Sequence, residues 1–151
     1  DDILGFKKIK EAHPDVKLAT GEMIQNKVMF KQFIENKSLD YCQIDSCRIA
    51  SLNEIIPVLL MASKFNTPVI PHAGGIGLCE YVQHLNLINK FIITNNDLSL
   101  SEYAESCSEH FENPAIIKSG GYVTPTSPGY SVKIKESSLE EFDFNNGKYW
   151  N

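Results

Sequence analysis

Hydrophobic and polar positions along the first two thirds of the chain switch between helical spacing and short apolar runs. Helical spacing predicts four helices, over residues 3–13, 27–36, 51–65 and 76–89. Short runs typical of buried strands lie between and after them, at residues 16–20, 40–45, 68–72 and 91–94. Because helices and strands alternate, the pattern predicts an α/β fold with parallel strands and right-handed crossovers.

Local signals mark the ends and faces of these helices. Asn26 is a suitable N-cap for the second helix, and Ser51 with Glu54 matches a capping box at the head of the third. Pro57 lies inside the third helix, where it predicts a kink or a missing hydrogen bond. In the first helix we expect one apolar side and one solvated side, formed respectively by Leu4, Ile9, Ala12 and by Lys7, Lys8, Lys10.

The last third of the chain has weaker periodicity. Residues 101–111 are predicted to be helical, and a short strand is predicted at Ile116–Ile117. Glycine and proline turn signals are frequent from Ser119 onward. We therefore expect residues 119–151 to be an irregular segment that covers the preceding structure.

Composition narrows the class of protein. The chain has 151 residues, 42% hydrophobic and 22% charged, as expected for one globular domain. A net charge of −5 without a basic stripe argues against a nucleic-acid partner. No apolar run approaches the roughly 18 residues of a membrane span. Four cysteines without metal-ligand spacing predict reduced thiols in an intracellular protein, cytoplasmic or mitochondrial.

Three polar residues stand where three successive strands end. Glu22, Asp45 and His72 follow one another at intervals close to one β/α unit, which takes about 30 residues in an eight-unit barrel. In a parallel barrel these positions meet at the carboxyl rim, where active sites are built. If Asp45 points inward, Cys42 and Ile44 face the surrounding helices.

The chemistry of these three residues is coherent. A carboxylate beside an imidazole gives a proton donor and acceptor near neutral pH, so Asp45 and His72 are a candidate dyad. Glu22 is a hard oxygen ligand suited to Mg²⁺. Structural alternatives remain open for each residue: a surface turn acid for Glu22, a helix cap or turn acid for Asp45, and a satisfied core or turn histidine for His72.

Four ordered motifs resemble the enolase superfamily, mandelate-racemase branch, and most of all its L-fuconate dehydratases. They are ATGE (19–22), QIDSCR (43–48), PHAGGIGLCE (71–80) and SPGYS (127–131). The resemblance implies that residues 1–151 are the C-terminal part of a modified TIM (β/α) barrel. It implies that the first barrel strands and a capping domain lie upstream, so that this chain is part of a longer protein.

The resemblance also assigns roles. It implies that Glu22 is a Mg²⁺ ligand, that Asp45 and His72 are the catalytic dyad, and that Glu102 binds the substrate carboxylate or its enediolate. The implied reaction is a hydro-lyase reaction on an acid sugar, L-fuconate to 2-keto-3-deoxy-L-fuconate. A base removes the proton beside the carboxylate, Mg²⁺ stabilises the enediolate, and His72 as general acid helps expel the 3-hydroxyl.

The family's Lys-x-Lys base and its other metal ligands are not in the matched region. Lys7 to Lys10 contain a Lys-x-Lys, but on a helix, so we interpret them as solvated surface. We therefore expect this chain alone to be inactive. We also expect the full-length protein to form a homo-oligomer and to have no membrane partner. Alternatives are a dehydratase or epimerase for another sugar acid, and a catalytically inactive truncated product.

Several other residues are less prominent candidates. Packing or surface roles are predicted for His84, His110 and Cys79. Glu80 is expected to support the site indirectly or to lie on the surface. Tyr122 and Tyr130 are predicted to pack on the barrel, with closure over its rim as the alternative, and Lys118 is a candidate for binding an anion.

Overall fold

A computed structural model describes residues 2–94, 99–104 and 106–151, and its first part alternates helices with short strands. In chain order these elements are α1 (Ile3–Ala12), β1 (Ala19–Thr20), α2 (Lys27–Glu35), β2 (Tyr41–Cys42), α3 (Leu52–Lys64) and α4 (Leu78–Ile88). After them come a π-helix (Asn89–Thr94), a 3₁₀ turn (Ser108–His110), β3 (Ile117–Lys118), β4 (Gly121–Tyr122) and α5 (Glu136–Phe142). Among the described residues, no helix is long and apolar enough to cross a membrane.

Three extended segments lie side by side and run parallel. Strand β1 pairs with β2, with Ala19 opposite Tyr41. Residues 68–72 join the other side of β2 through bridges at Cys42–Val69 and Asp45–His72. The His72 N–H donates to the Ile44 carbonyl at 2.9 Å, which continues the ladder to the end of the segment. The first three predicted strands are therefore confirmed as parallel neighbours with β2 in the middle.

The core lies between these strands and helices α2 and α3. Helical spacing brings the apolar residues of α2 and α3 to the side that faces the strands. Cys42 and Ile44 are fully buried from the strand side, as the predicted strand parity requires. Asn26 caps α2 as predicted, since its Oδ1 accepts from the backbone N–H groups of Val28 and Met29. The buried side chains include Phe30, Phe33, Ile34, Ile55, Val58, Leu59 and Ala62.

The predicted apolar side of α1 is wrong. Leu4 and Ile9 are 64% and 50% exposed, whereas Ile3 and Phe6 pack against the core. The Phe6 ring meets Phe33 edge-on at 5.8 Å, which sets the rotation of the helix. Lys10, expected to be solvated, instead reaches the Asp40 carboxylate at 2.9 Å.

The capping box at the head of α3 is also wrong. Ser51 occupies the N-cap position but its side chain makes no capping hydrogen bond. The Glu54 carboxylate turns outward and accepts from the backbone N and the Nζ of Lys27, at 3.2 and 2.6 Å. This pair lowers the pKa of Glu54 and links the first turns of α2 and α3. Pro57 lies within α3, which continues unbroken to Lys64.

The predicted fourth strand at residues 91–94 is a π-helix. Helix α4 does not stop at Ile88 but continues with a wider turn, and the Thr94 hydroxyl donates to the Asn89 carbonyl at 2.9 Å. The wider turn lets Ile93 pack against the same core as Leu85 and Ile88. A four-residue apolar run does not by itself distinguish a strand from the end of a buried helix.

The helix predicted over residues 101–111 is present only as the short 3₁₀ turn at Ser108–His110. Residues 101–104 are irregular, and Glu105 lies outside the described residues. Cys107 has a left-handed backbone with φ of 55°, which is incompatible with a continuous helix.

The C-terminal segment is more ordered than predicted. Strands β3 and β4 form a hairpin in which Ile117 lies opposite Tyr122. Helix α5 was not predicted, and none of its residues is buried. Because it presents no apolar face to a core, the sequence carries no helical hydrophobic period there.

Candidate active site

Asp45 and His72 meet at the ends of neighbouring parallel segments. The His72 Nδ1 lies 2.6 Å from the Asp45 Oδ2, within hydrogen-bonding distance. Asp45 is 4% exposed, and its second oxygen, Oδ1, accepts from the backbone N–H groups of Cys47 and Arg48 at 2.6 and 3.0 Å. The turn that follows β2 therefore holds the carboxylate from one side while it contacts the imidazole on the other.

This arrangement defines which imidazole nitrogen is available. An ionised carboxylate can only accept hydrogen bonds, so in that state of Asp45 the hydrogen between the two groups belongs to Nδ1. Nε2 then lies toward the open side of the site, where an imidazole nitrogen can exchange a proton. A histidine held in this way can serve as a general acid or base.

Gly74 keeps the space around Nε2 open. A Cβ at this position would lie 2.7 Å from the His72 Nε2, too close for any real side chain. The glycine pair after the third segment was predicted to make a tight turn. At Gly74 the requirement is the close approach of backbone to the imidazole.

Two further carboxylates flank the His72 Nε2. One oxygen of Glu22 lies 3.7 Å from it and one oxygen of Glu102 lies 3.8 Å from it. The side chains of Glu22 and Glu102 are 46% and 35% exposed, so both face the opening rather than the core. All four residues predicted from the sequence are thus brought together in one place.

Glu102 is held in position although it lies in irregular chain. Its Oε2 accepts from the Ala73 N–H at 2.7 Å, directly beside His72. Its backbone carbonyl accepts from the Tyr122 hydroxyl at 2.7 Å. Burial raises the pKa of Tyr122 well above its ordinary value, so the phenol remains a hydrogen-bond donor.

A magnesium ion needs several oxygen ligands in nearly octahedral geometry. Glu22 offers one such oxygen. Over residues 2–94, 99–104 and 106–151, no group of three or more His, Cys, Asp or Glu side chains is arranged to hold a metal ion. The described residues therefore do not form a complete magnesium site by themselves.

The other residues singled out in the sequence make packing contacts or lie on the surface. Cys79 is buried, with its Sγ 3.2 Å from the Ala104 carbonyl oxygen. His84 contacts the Ser131 hydroxyl at 3.3 Å, and burial lowers the pKa of its imidazole. His110 contacts the Ser138 hydroxyl at 3.0 Å. Tyr130 packs against Tyr81, and Lys118 lies exposed in β3.

Sequence reasoning missed two kinds of contact at the site. Backbone N–H groups of Cys47, Arg48 and Ala73 hold the carboxylates of Asp45 and Glu102. Of these contacts, only those of Asp45 could be predicted from the sequence, since aspartate commonly accepts from N–H groups two or three residues further along the chain. Glu80 is 2% exposed, and its Oε1 accepts from the Ala115 N–H at 3.0 Å. No local pattern points to that contact.

Comparison with known proteins places this arrangement in context. A family model described as Enolase C-terminal domain-like matches residues 1–138. Mitochondrial enolase superfamily member 1 of Xenopus laevis is 50% identical over 153 residues, covering 99% of this chain and 34% of the relative. An L-galactonate dehydratase of Hypocrea jecorina is 47% identical over 146 residues, covering 95% of this chain and 32% of the relative. The chain spans about a third of the length of these relatives.

The fold has a close counterpart among solved structures. The crystal structure of human mitochondrial enolase superfamily member 1 superposes with a TM-score of 0.93 at 44% identity, over 99% of this chain and 35% of that chain. The predicted fold class, the C-terminal part of an enolase-type (β/α) barrel, is confirmed. The superfamily resemblance is likewise confirmed, whereas the specific resemblance to L-fuconate dehydratases stays a prediction.

Proposed function

The chain belongs to the Enolase C-terminal domain-like family, and from this membership we propose that it supplies the general acid of a sugar-acid dehydratase. The observation that carries the proposal is the Asp45–His72 pair at the ends of adjacent parallel segments, 2.6 Å apart, with Nε2 directed to the opening. In this reading the full-length protein is a hydro-lyase. These 151 residues supply the acid side of its site and do not turn over substrate alone.

His72 would act after the carbon acid has lost its proton. The Nε2–H group gives its proton to the 3-hydroxyl oxygen, the C3–O bond breaks, and the enediolate electron pair forms the C2–C3 double bond as water leaves. The enol then tautomerises to a 2-keto-3-deoxy acid. Asp45 keeps the imidazole in the required tautomer and stabilises its charged form before the transfer.

The two flanking carboxylates have separate proposed roles. Glu102, fixed by the Ala73 N–H, is proposed to contact the substrate carboxylate or its enediolate. Glu22 is proposed as one oxygen ligand of a magnesium site completed elsewhere in the protein. No step of the proton transfer above is assigned to the metal.

The proposed substrate is L-fuconate, with L-galactonate as the second candidate. The Hypocrea jecorina relative is named for L-galactonate, and L-fuconate differs from that acid only in lacking the 6-hydroxyl. An epimerase reaction on the same acids would use the same dyad. Incubating the full-length protein with both acids and a panel of other sugar acids, and following 2-keto-3-deoxy acid formation, distinguishes these cases.

The test of the general acid is His72→Asn in the full-length protein. Loss of acid catalysis is expected to lower kcat by about 100- to 10,000-fold. In D₂O the variant should still exchange the C2 proton of the acid, because the preceding proton removal does not need His72. The matched control His84→Asn, on α4, should retain turnover within about twofold. Unchanged turnover in His72→Asn would end the proposal.

A further inference from the structure

The C-terminal segment contacts Glu102 of the site through Tyr122, a residue of the β3–β4 hairpin. Its hydroxyl donates to the Glu102 carbonyl at 2.7 Å. The Glu102 carboxylate accepts from the Ala73 N–H at 2.7 Å and stands 3.8 Å from the His72 Nε2. Two hydrogen bonds thus connect the hairpin, through Glu102, to the backbone of Ala73, which follows His72 in the chain.

Tyr122 is itself firmly placed. It pairs with Ile117 in the hairpin, and its neighbour Val123 donates to the Ile116 carbonyl at 2.8 Å. Its ring packs against a small buried cluster formed by Ala73, Leu78, Cys79 and Val82. It also meets the Tyr103 ring edge-on at 5.9 Å.

A second contact anchors the chain that leads into the hairpin. The buried carboxylate of Glu80, in the first turn of α4, accepts from the Ala115 N–H at 3.0 Å. Ala115 lies two residues before β3 and packs on the same small cluster as Tyr122. Helix α4 therefore holds Ala115, before the hairpin, through Glu80, and it contacts Tyr122, within the hairpin, through the small cluster.

Glu102 has no regular element to hold it. Residues 101–104 are irregular, so no helical or ladder hydrogen bond holds the backbone there. Side chains of α4 reach its two ends, Asn86 at the Ser101 hydroxyl (2.7 Å) and Cys79 at the Ala104 carbonyl (3.2 Å). The Glu102 carbonyl itself accepts from the Ser101 hydroxyl at 3.3 Å and, more closely, from Tyr122 at 2.7 Å.

From these contacts we infer that Tyr122 is a positioning residue, which holds the Glu102 backbone so that its carboxylate stays on the Ala73 N–H beside His72. Its effect on turnover rests on the function proposed above, whereas its effect on Ala73 does not.

The structural test is Tyr122→Phe in the full-length protein, with amide hydrogen exchange measured at Ala73. The substitution keeps the ring and removes only the hydroxyl, so folding is preserved. Loss of the Tyr122–Glu102 hydrogen bond is expected to speed Ala73 exchange by about threefold to tenfold. The matched control is Tyr130→Phe, in the same segment but packed against Tyr81 and His84, and it should leave Ala73 exchange unchanged.

The exchange rate at Ala73 tests the positioning role of Tyr122 directly. Faster exchange at Ala73 in Tyr122→Phe alone supports the inference. Unchanged exchange, or an equal rise in both variants, overturns it. With sugar acid as substrate, Tyr122→Phe should lower kcat/KM by about threefold to tenfold. If the unmodified protein turns over no sugar acid while Ala73 exchange still responds, the positioning role holds and the proposed function fails.

Discussion

Two regions of this chain are held together in different ways. Residues 2–94, which contain helices α1 to α4 and the parallel segments, hold all but one of the buried apolar side chains of the described residues, in a main core and a small second cluster. In the described residues from 99 onward, Phe111 is the only buried hydrophobic residue, at 3% exposure. That second region is attached by buried polar contacts, such as Glu80 with Ala115 and Tyr122 with Glu102, and by packing of Ala115 and Tyr122 on the small cluster. The first region contains most of the buried core and the dyad, and the second contributes Glu102 and Tyr122 beside the dyad.

The largest expected effect comes from opening the core of the first region. Phe30 is completely buried in α2, and Phe30→Ala should lower the free energy of unfolding by about 3–5 kcal/mol. Urea unfolding of the full-length protein followed by circular dichroism measures it. In the second region, Phe144→Ala removes the same ring from a site that is 78% exposed and should change the value by under about 0.5 kcal/mol. Equal losses in the two variants would contradict the comparison.

A smaller loss of stability is expected when the hydrogen bond between Glu80 and Ala115 is removed. Glu80→Ala leaves the Ala115 N–H without its acceptor, which should cost about 1–3 kcal/mol. Because the contact holds the second region, hydrogen exchange should rise around Ala115 and the hairpin while α2 and α3 stay protected.

Glu80→Gln is the control for this cut, since it keeps an acceptor oxygen and loses the charge. Its exchange should remain close to that of the unmodified protein. Uniform loss of protection across both regions in Glu80→Ala would show that the second region is part of one cooperative unit with the first.

The smallest expected effect is on the pH dependence of stability, through the carboxylate of Asp40 at the edge of the first region. Desolvation alone would raise the pKa of Asp40, but hydrogen bonds from the Leu18 N–H and Lys10 lower it below the ordinary 3.8. The folded state therefore binds this proton less readily than the unfolded state. The stabilisation is present above about pH 4 and is lost as pH falls through the folded pKa.

Asp40→Asn removes this titration. The expected loss is about 0.2–1 kcal/mol at neutral pH, shrinking toward zero in acid. Thermal unfolding of both proteins between about pH 2 and 6 measures the difference. A difference that grows as the solution is acidified has the wrong sign for this account.

Helices α2 and α3 and the three parallel segments of the first region were predictable because their signals are local and periodic. The apolar stripes of α2 and α3 are buried, and the Asn26 cap depends on residues two and three positions away. The Asp45–His72 pair was predictable because parallel strands of similar length bring their ends to one edge. Glu22 lies at the same edge for the same reason.

The second region was predicted poorly because its structure depends on distant partners. Glu102 lies in irregular chain, and its carboxylate accepts from the N–H of Ala73, 29 residues away. The Glu80–Ala115 contact spans 35 residues and involves a backbone group with no side-chain signal. At the end of the first region the π-helix at Asn89–Thr94 was missed for a similar reason, since it depends on how Ile93 meets the core. Local composition contains none of this information.

The position of Glu102 along the chain has a consequence for protein synthesis. Asp45 and His72 are translated before Glu102, which follows His72 by 30 residues in the printed sequence. At about 5–20 residues per second, the ribosome needs roughly 2–6 seconds to cover that stretch. Every newly made molecule therefore passes through a period of seconds in which both members of the dyad exist and the carboxylate bound to Ala73 does not.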